Sequence, residues 1–313
     1  MRRFIKRQEG GILVLAALTL SICMLFAAVL LDVGLLYMTK SKLRQIANAA
    51  VLSAAQELTH TETDVNAVLN DILTAQQARG LVSKVEMDRN RSLTLRLEQE
   101  VSTVFAPLIG FDAMTVSAEA QAVLAPIGRG KGAVPIAMLD SVSFVKDTVY
   151  SLQLIPSATN LLTSTLNGVG SFGVLRLLGP GANLYGQDLR TGFSGTVGVN
   201  DVLSVQLGNV LSALATDTRN AINDRISRCP HPPGETYHRD CSRVMLIPLY
   251  RAHLISEGQL VNVKITGFAY FYLLEPMGLL DTAVKGKFID RVGTGHFVDG
   301  ALDRGAYTIR LVE

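Results

Sequence analysis

The stretch ILVLAALTLSICMLFAAVLLDVGLL, residues 12–36, decides how the chain is organised. Ile12 to Leu31 carries no charge, and about 20 apolar residues at the helical rise of about 1.5 Å just cross a bilayer core. Asp32 ends the uncharged run. Before it stand Arg2, Arg3, Lys6 and Arg7 with the single acid Glu9, a short basic cluster that predicts a cytoplasmic N-terminus with everything after about Lys40 outside. Lys40, Lys42 and Arg44 supply the opposing charge on the far side. A cleaved signal peptide shares this layout, and Arg2-Arg3-Phe4-Ile5-Lys6 faintly suggests twin-arginine export. However, the apolar run exceeds the roughly 7–15 residues of a signal core, and no small-x-small cleavage site precedes a polar start. The expectation is a retained single-pass anchor.

Working outward, the helical pattern does not stop at the membrane. Leu43, Ile46, Ala47, Ala50, Val51, Ala54 and Leu58 recur at helical spacing, with Lys42, Gln45, Asn48, Gln56 and Glu57 largely on other faces. One long helix is therefore predicted to about Glu57, with an Ala-rich face that suits either the chain's own globular domain or a neighbouring helix. Asp32 has two readings, a residue at the outer interface or a contact with a partner helix.

The remainder of the 313 residues is long enough for one or two compact domains. The net charge of +2 and the lack of basic runs interleaved with aromatics argue against nucleic-acid binding. Thr61-Glu62-Thr63-Asp64 resembles a capping box. It opens a helix bearing Val65, Val68, Leu69, Ile72 and Leu73, with a stop expected at Gly80. Val85 and Met87, then Leu93, Leu95 and Leu97, alternate as a hairpin. Val104 to Ile109 reads as a short helical piece ended by Gly110, and Met114 to Leu124 as another strand. Pro126 to Gly132 reads as a Gly-rich linker. After it, strand patterns at Val134–Met138, Val149–Ile155, Phe172–Leu178, Val244–Tyr250, Leu260–Leu274, Val284–Val292 and Tyr307–Val312 surround one helix, Val210 to Arg228. An antiparallel sheet or sandwich with inserted helices is expected there.

The fold class is thus α+β: a transmembrane helix continuing into a stalk helix, then a small α+β unit and a β-rich exported domain. The boundaries read 1–11 for a cytoplasmic basic segment, 12–36 for the span and 37–58 for the stalk. They continue as 59–125 for the small unit, 126–132 for the linker and 133–313 for the extracytoplasmic domain.

The order of features in the first 58 residues carries a resemblance. Basic residues, Gly10-Gly11, the apolar run, Leu31-Asp32-Val33-Gly34-Leu35-Leu36-Tyr37, the basic register from Lys40 to Arg44, and Ala47-Asn48-Ala49-Ala50-Val51-Leu52-Ser53-Ala54-Ala55 together resemble the N-terminal region of TadE/TadG-like proteins of Flp, or tight-adherence, pilus assembly. The resemblance implies a minor-pseudopilin-like, bacterial membrane protein. Its partners would be the membrane, other pilins or pseudopilins in homo- or hetero-oligomers, and pilus assembly platform proteins. On this reading Asp32, Gly34, Tyr37, Ala47, Ala50 and Ala54 are candidate helix-interaction residues. Two positions depart from the family pattern. Asn48 stands where an Asp is common, and no Glu follows Gly10 or Gly11 to pair with a processed N-terminus.

Chemistry concentrates in one loop. Cys229 and Cys241 flank Cys229-Pro230-His231 and His238-Arg239-Asp240-Cys241. The adopted reading is a disulfide between Cys229 and Cys241, permitted in an oxidising compartment. A Cys2His2 zinc site and free thiols are the alternatives, and the spacing is wrong for common zinc modules. Cys23 is a small apolar residue within the span. Gly128 to Gly132 lacks the phosphate-loop spacing, and Gly192-Phe193-Ser194-Gly195 falls one residue short of a nucleophile elbow. Asp140-Ser141-Val142-Ser143 has its serines at the wrong offsets for an adhesive-domain metal site, while His60, His253 and His296 are isolated. No catalytic, cofactor or metal site is assigned. The expected role is structural, not enzymatic, with a tethered hydrolase or ligand-binding ectodomain as the alternative.

Overall fold

A computed structural model describes residues 9–89, 91–110, 112–154, 169–177, 183–205, 211–235, 238–256, 259–279, 281 and 283–312. The basic cluster Arg2, Arg3, Lys6 and Arg7, on which the orientation reading rests, lies outside them. The architecture is mixed α+β with a β-rich C-terminal region. It divides into two compact units, one reaching Val123 and including the last residues from Leu311, the other Leu124–Arg310.

In the first unit, α1 (Glu9–Ala54) is a single helix of 46 residues. It is long and apolar enough to cross a membrane, compatible with a single-pass anchor. Leu13, Phe26 and Leu30 are among the many large apolar side chains it leaves uncovered along the span. A buried stripe then begins. Ala28 is half-buried, Asp32 buried, Leu36 and Thr39 half-buried, and Leu43, Ala47, Ala50 and Ala54 buried. Steps of three and four keep these residues on one side of the helix. α2 (Glu62–Ala75) packs there. Thr61 accepts from the Asp64 amide while the Asp64 carboxylate accepts from the Thr61 amide, completing the capping box. Val65, Leu69 and Leu73 are its buried face. The helix stops before Gly80 because Gln77 adopts a left-handed φ of 55° just past the last buried leucine.

β1 (Val82–Asp88), β2 (Ser92–Ser102) and β3 (Ala113–Lys131) form an antiparallel meander. Leu93, Leu95 and Leu97 are fully buried on the strand that packs against α1.

The segment 126–132, read from sequence as a Gly-rich linker, is for the most part the end of β3, which runs 19 residues. Its glycines permit close approach. A Cβ on Gly128 would lie 2.3 Å from that of Val298, and the chain turns only at Gly132, with φ +81°.

The second unit contains β4 (Ile136–Leu139), β5 (Val149–Leu154), β6 (Val169–Arg176), α3 (Asn183–Thr191), β7 (Thr196–Gly198) and β8 (Val202–Val205). These are followed by α4 (Leu211–Arg228), β9 (Val244–Ser256), β10 (Gln259–Leu273), β11 (Ala283–Ile289), β12 (Arg291–Val292), β13 (Gly295–Phe297) and β14 (Ala306–Val312). Here the expected antiparallel or sandwich-like sheet gives way to a mixed sheet that closes on itself. The order is β11-β5-β6-β4-β9-β10, with β10 returning to β11 and β8 beside β10 and β6. β4 with β9 and β5 with β6 are parallel. Closure is tight where Gly286 meets Leu273, since a Cβ there would lie 2.3 Å from the Tyr272 carbonyl oxygen.

The physical reason for the difference lies in β9, where Met245 to Tyr250 are buried without interruption. Met245, Ile247 and Leu249 join Phe271 and Leu273 in one cluster, capped by Leu189, Ala221 and Ile222 from the helices. Leu246 and Tyr250 join Phe268, Tyr270 and Tyr272 in another. A strand covered on both faces reads as a continuous apolar run, which identifies it as a strand without naming its partners.

Candidate functional site

Among the described residues, two places hold polar groups in arrangements that local structure does not require. The first is Asp32. Its Oδ1 accepts from the Val104 amide at 2.8 Å, and its Oδ2 from the amides of Phe105 and Ala106 at 3.0 and 2.7 Å. These consecutive N–H groups enter the short 3-10 helix Ala106–Ile109, which ends on Gly110 at φ +91°. Donors at a helix start lack partners within the helix and favour a negative group, and α1 supplies it. Asp32 therefore binds the chain's own loop, a contact that neither sequence reading of this residue foresaw.

The other candidate helix-interaction residues divide. Ala47, Ala50 and Ala54 are completely buried within the first unit. Of the two partners expected for this face, the chain's own domain or a neighbouring helix, elements of the same unit are in contact with α1, namely α2 and β2. Tyr37 is 74% exposed, and a Cβ on Gly34 would meet nothing within 4 Å. Both remain open on the helix surface.

The second place is the loop between α4 and β9. Its stem is held by Arg225, a buried guanidinium whose Nε donates to the Leu189 carbonyl at 2.6 Å and whose Nη1 donates to the Ser242 and Val244 carbonyls at 3.0 and 3.2 Å. Ser242 Oγ returns a bond to the Arg225 carbonyl at 2.6 Å. Burial, with Arg228 nearby, pushes the Arg225 pKa down to about 10. The end of α4 and the entry to β9 thus bring Cys229 and Cys241 together, with their sulfurs 2.6 Å apart. Burial pushes the Cys241 thiol up to about 11. Burial also opposes ionisation of Cys229, but contact with Cys241 and the His231 and Arg243 amides leaves its thiol below the usual range.

The histidines do not join the sulfurs. The rings of His231 and His238 stack on each other, with centroids 3.6 Å apart and planes 7° from parallel. His231 Nε2 lies 2.7 Å from Asp240 Oδ1, and His238 Nε2 lies 2.8 Å from Glu235 Oε2. The backbone of the loop is pinned from β10 and β12: the Gly234 amide donates to the Tyr272 hydroxyl, and Arg291 Nη2 donates to the His238 carbonyl. Glu235 was missed in the sequence, although its place three residues before His238 is a recoverable signal.

The remaining sequence motifs stay apart. Asp140 is paired with Arg251 at 2.9 Å. Gly192 takes φ +83° just past α3, with Phe193 buried beside it. His60 contacts Glu57, His253 lies in β9 and His296 in β13.

A family model described as "Putative Flp pilus-assembly TadE/G-like" matches residues 10–57, which are α1 and the start of its connection to α2. No curated protein and no solved structure matches the chain.

Proposed function

We propose that the chain is a membrane-anchored, minor-pseudopilin-like structural component of a Tad/Flp-type pilus or a related secretion assembly. The observation that carries this reading is the family match over residues 10–57, which supports a part in pilus assembly. The protein spans the bacterial cell membrane once, with its N-terminus cytoplasmic and everything after about Lys40 extracytoplasmic. The uncovered apolar span of α1 supports the anchor. Its role is positional and not catalytic: it caps, primes or tethers through contacts with pilins, other pseudopilins or platform proteins. The surfaces left for such contacts on α1 are those around Gly34 and Tyr37, because the Ala-rich side is used internally. In an oxidising compartment Cys229 and Cys241 form a disulfide that locks the loop after α4, as their proximity supports.

Affinity purification of the mildly cross-linked membrane protein from its native host, with mass spectrometry of partners and of its own N-terminus, tests the proposal. Recovery of pilins, pseudopilins or a secretion ATPase platform is the expected result. An N-terminus at Gly11 or Ile12 would reveal processing despite the missing Glu. An intact anchor that reproducibly brings down none of these partners overturns the assembly role.

A further inference from the structure

We propose that His231, Glu235 and His238 bind a divalent transition-metal ion of the zinc class, with the sulfurs of Cys229 and Cys241 outside the coordination shell. The ligand atoms of the three side chains lie within 4.8 Å of one another. Two ligands of one tetrahedral zinc ion, each about 2.0–2.1 Å from it, stand roughly 3.3 Å apart. A tilt of the two stacked rings and a side-chain rotation of Glu235 supply the convergence.

A site drawn from the sequence as two cysteines and two histidines fails because Cys229 and His231 are too close along the chain to reach one ion easily. The structure removes that conflict by sorting the groups. Sulfur faces sulfur over the Tyr272 side of the loop, where Cys229 and Cys241 join the same hydrophobic cluster. Imidazole faces imidazole on the other, with a carboxylate against each ring. Two neutral imidazoles and a carboxylate match the borderline preference of zinc for nitrogen and oxygen ligands. Asp240 Oδ1, 2.7 Å from His231 Nε2, is positioned to orient that ring from outside the shell.

The side chains of His231, Glu235 and His238 are 22, 37 and 27% exposed, so an ion can enter from solvent while the facing sides of the two rings cover each other. The backbone is pinned at Gly234 and His238 by Tyr272 and Arg291, which limits the ordering that binding must supply. The Arg291 guanidinium lies on the backbone side of His238 and opposes a cation there. The carboxylates of Glu235 and Asp240 counter it.

The experiment uses the full chain in detergent and Zn2+ alone, with competition against a chromophoric chelator and zinc X-ray absorption. The expected result is one Zn2+ per chain with a shell of nitrogen and oxygen only. Glu235→Gln and His238→Asn should each weaken binding by roughly tenfold or more, since even outer-shell losses at metal sites cost about 10–100-fold. The double variant Cys229→Ser/Cys241→Ser should bind within a few-fold of the parent. Absence of stoichiometric Zn2+, unchanged binding by Glu235→Gln, or a sulfur shell at about 2.3 Å overturns the site. Should the double serine variant fail to fold, the absorption spectrum of the parent decides alone.

Discussion

The two units each secure a loop with one buried charge, and they do so with opposite signs. In the first, the Asp32 carboxylate collects three backbone amides. In the second, the Arg225 guanidinium collects three backbone carbonyls. The surroundings differ more than the chemistry does. Asp32 stands on one helix where the apolar span gives way to a packed stripe, amid short-range patterns. Arg225 sits within a unit whose strands close by long-range pairing, such as Leu139 beside Tyr250 and Ser151 beside Val169. Where packing is local, a buried charge fastens a loop to an element that already has reasons to form. In the second unit the charge ties α4 to the end of α3 and the entry to β9, segments 17–36 residues away, whereas Asp32 reaches across 72–74.

That contrast can be broken at Arg225 first. Arg225→Met strands three carbonyls in a dry site and removes charge-assisted bonds, so the second unit should lose about 3 kcal/mol or more. Denaturant melts should report this, with faster amide exchange in and around residues 229–235, while Leu93–Leu97 in the first unit keep their protection. Next in size, oxidised parent protein should exceed Cys229→Ser/Cys241→Ser by roughly 3 kcal/mol, the chain-entropy value for a loop of this length. The difference should vanish when a reductant is added.

The first unit is probed by Ala50→Leu, which overfills the side of α1 covered by α2 and β2 and should cost about 1–3 kcal/mol. Tyr37→Ala, on the open surface, should leave the melt unchanged. The smallest of the losses is Thr61→Ala, about 1 kcal/mol for a lost N-cap. The same cap gives a pH signature. Hydrogen bonds from the Thr61 hydroxyl and amide hold the Asp64 carboxyl below its ordinary value. Its contribution is therefore present above the ordinary carboxylate range and lost as pH falls through the lowered native value. Thr61→Ala should flatten that acid limb in pH-dependent melts.

The first unit was largely legible in the sequence for the same reason that it is locally packed. Leu43, Ala47, Ala50 and Ala54 repeat at helical spacing, Leu93, Leu95 and Leu97 alternate, and Thr61 and Asp64 form a box within four residues. What the sequence hid there is the partner of Asp32, because backbone amides about 70 residues away carry no side-chain signature. In the second unit the strands themselves were visible, yet the apolar run Met245–Tyr250 fits any sheet buried on both faces, so ring closure was not. The cysteine pair could be named from sequence. The sorting of imidazoles away from sulfur could not, since it depends on Tyr272 and Arg291 pinning the loop, and Arg225, though spaced with the buried Ala221 and Ile222, is a charge that an apolar pattern passes over.

One consequence of the Asp32 contact concerns rotation. A lone apolar helix in a bilayer spins about its long axis, and nothing in a uniform lipid surface selects a heading. A carboxylate gripping amides 104–106 acts as a key in a slot: the shaft can no longer turn without carrying the first unit with it. At about 100° per residue, Gly34 and Tyr37 lie roughly 160° and 140° around the helix from Asp32, facing away from the slot. Any neighbour that approaches this side of α1 therefore meets Tyr37 on one fixed bearing relative to the loop that Asp32 holds.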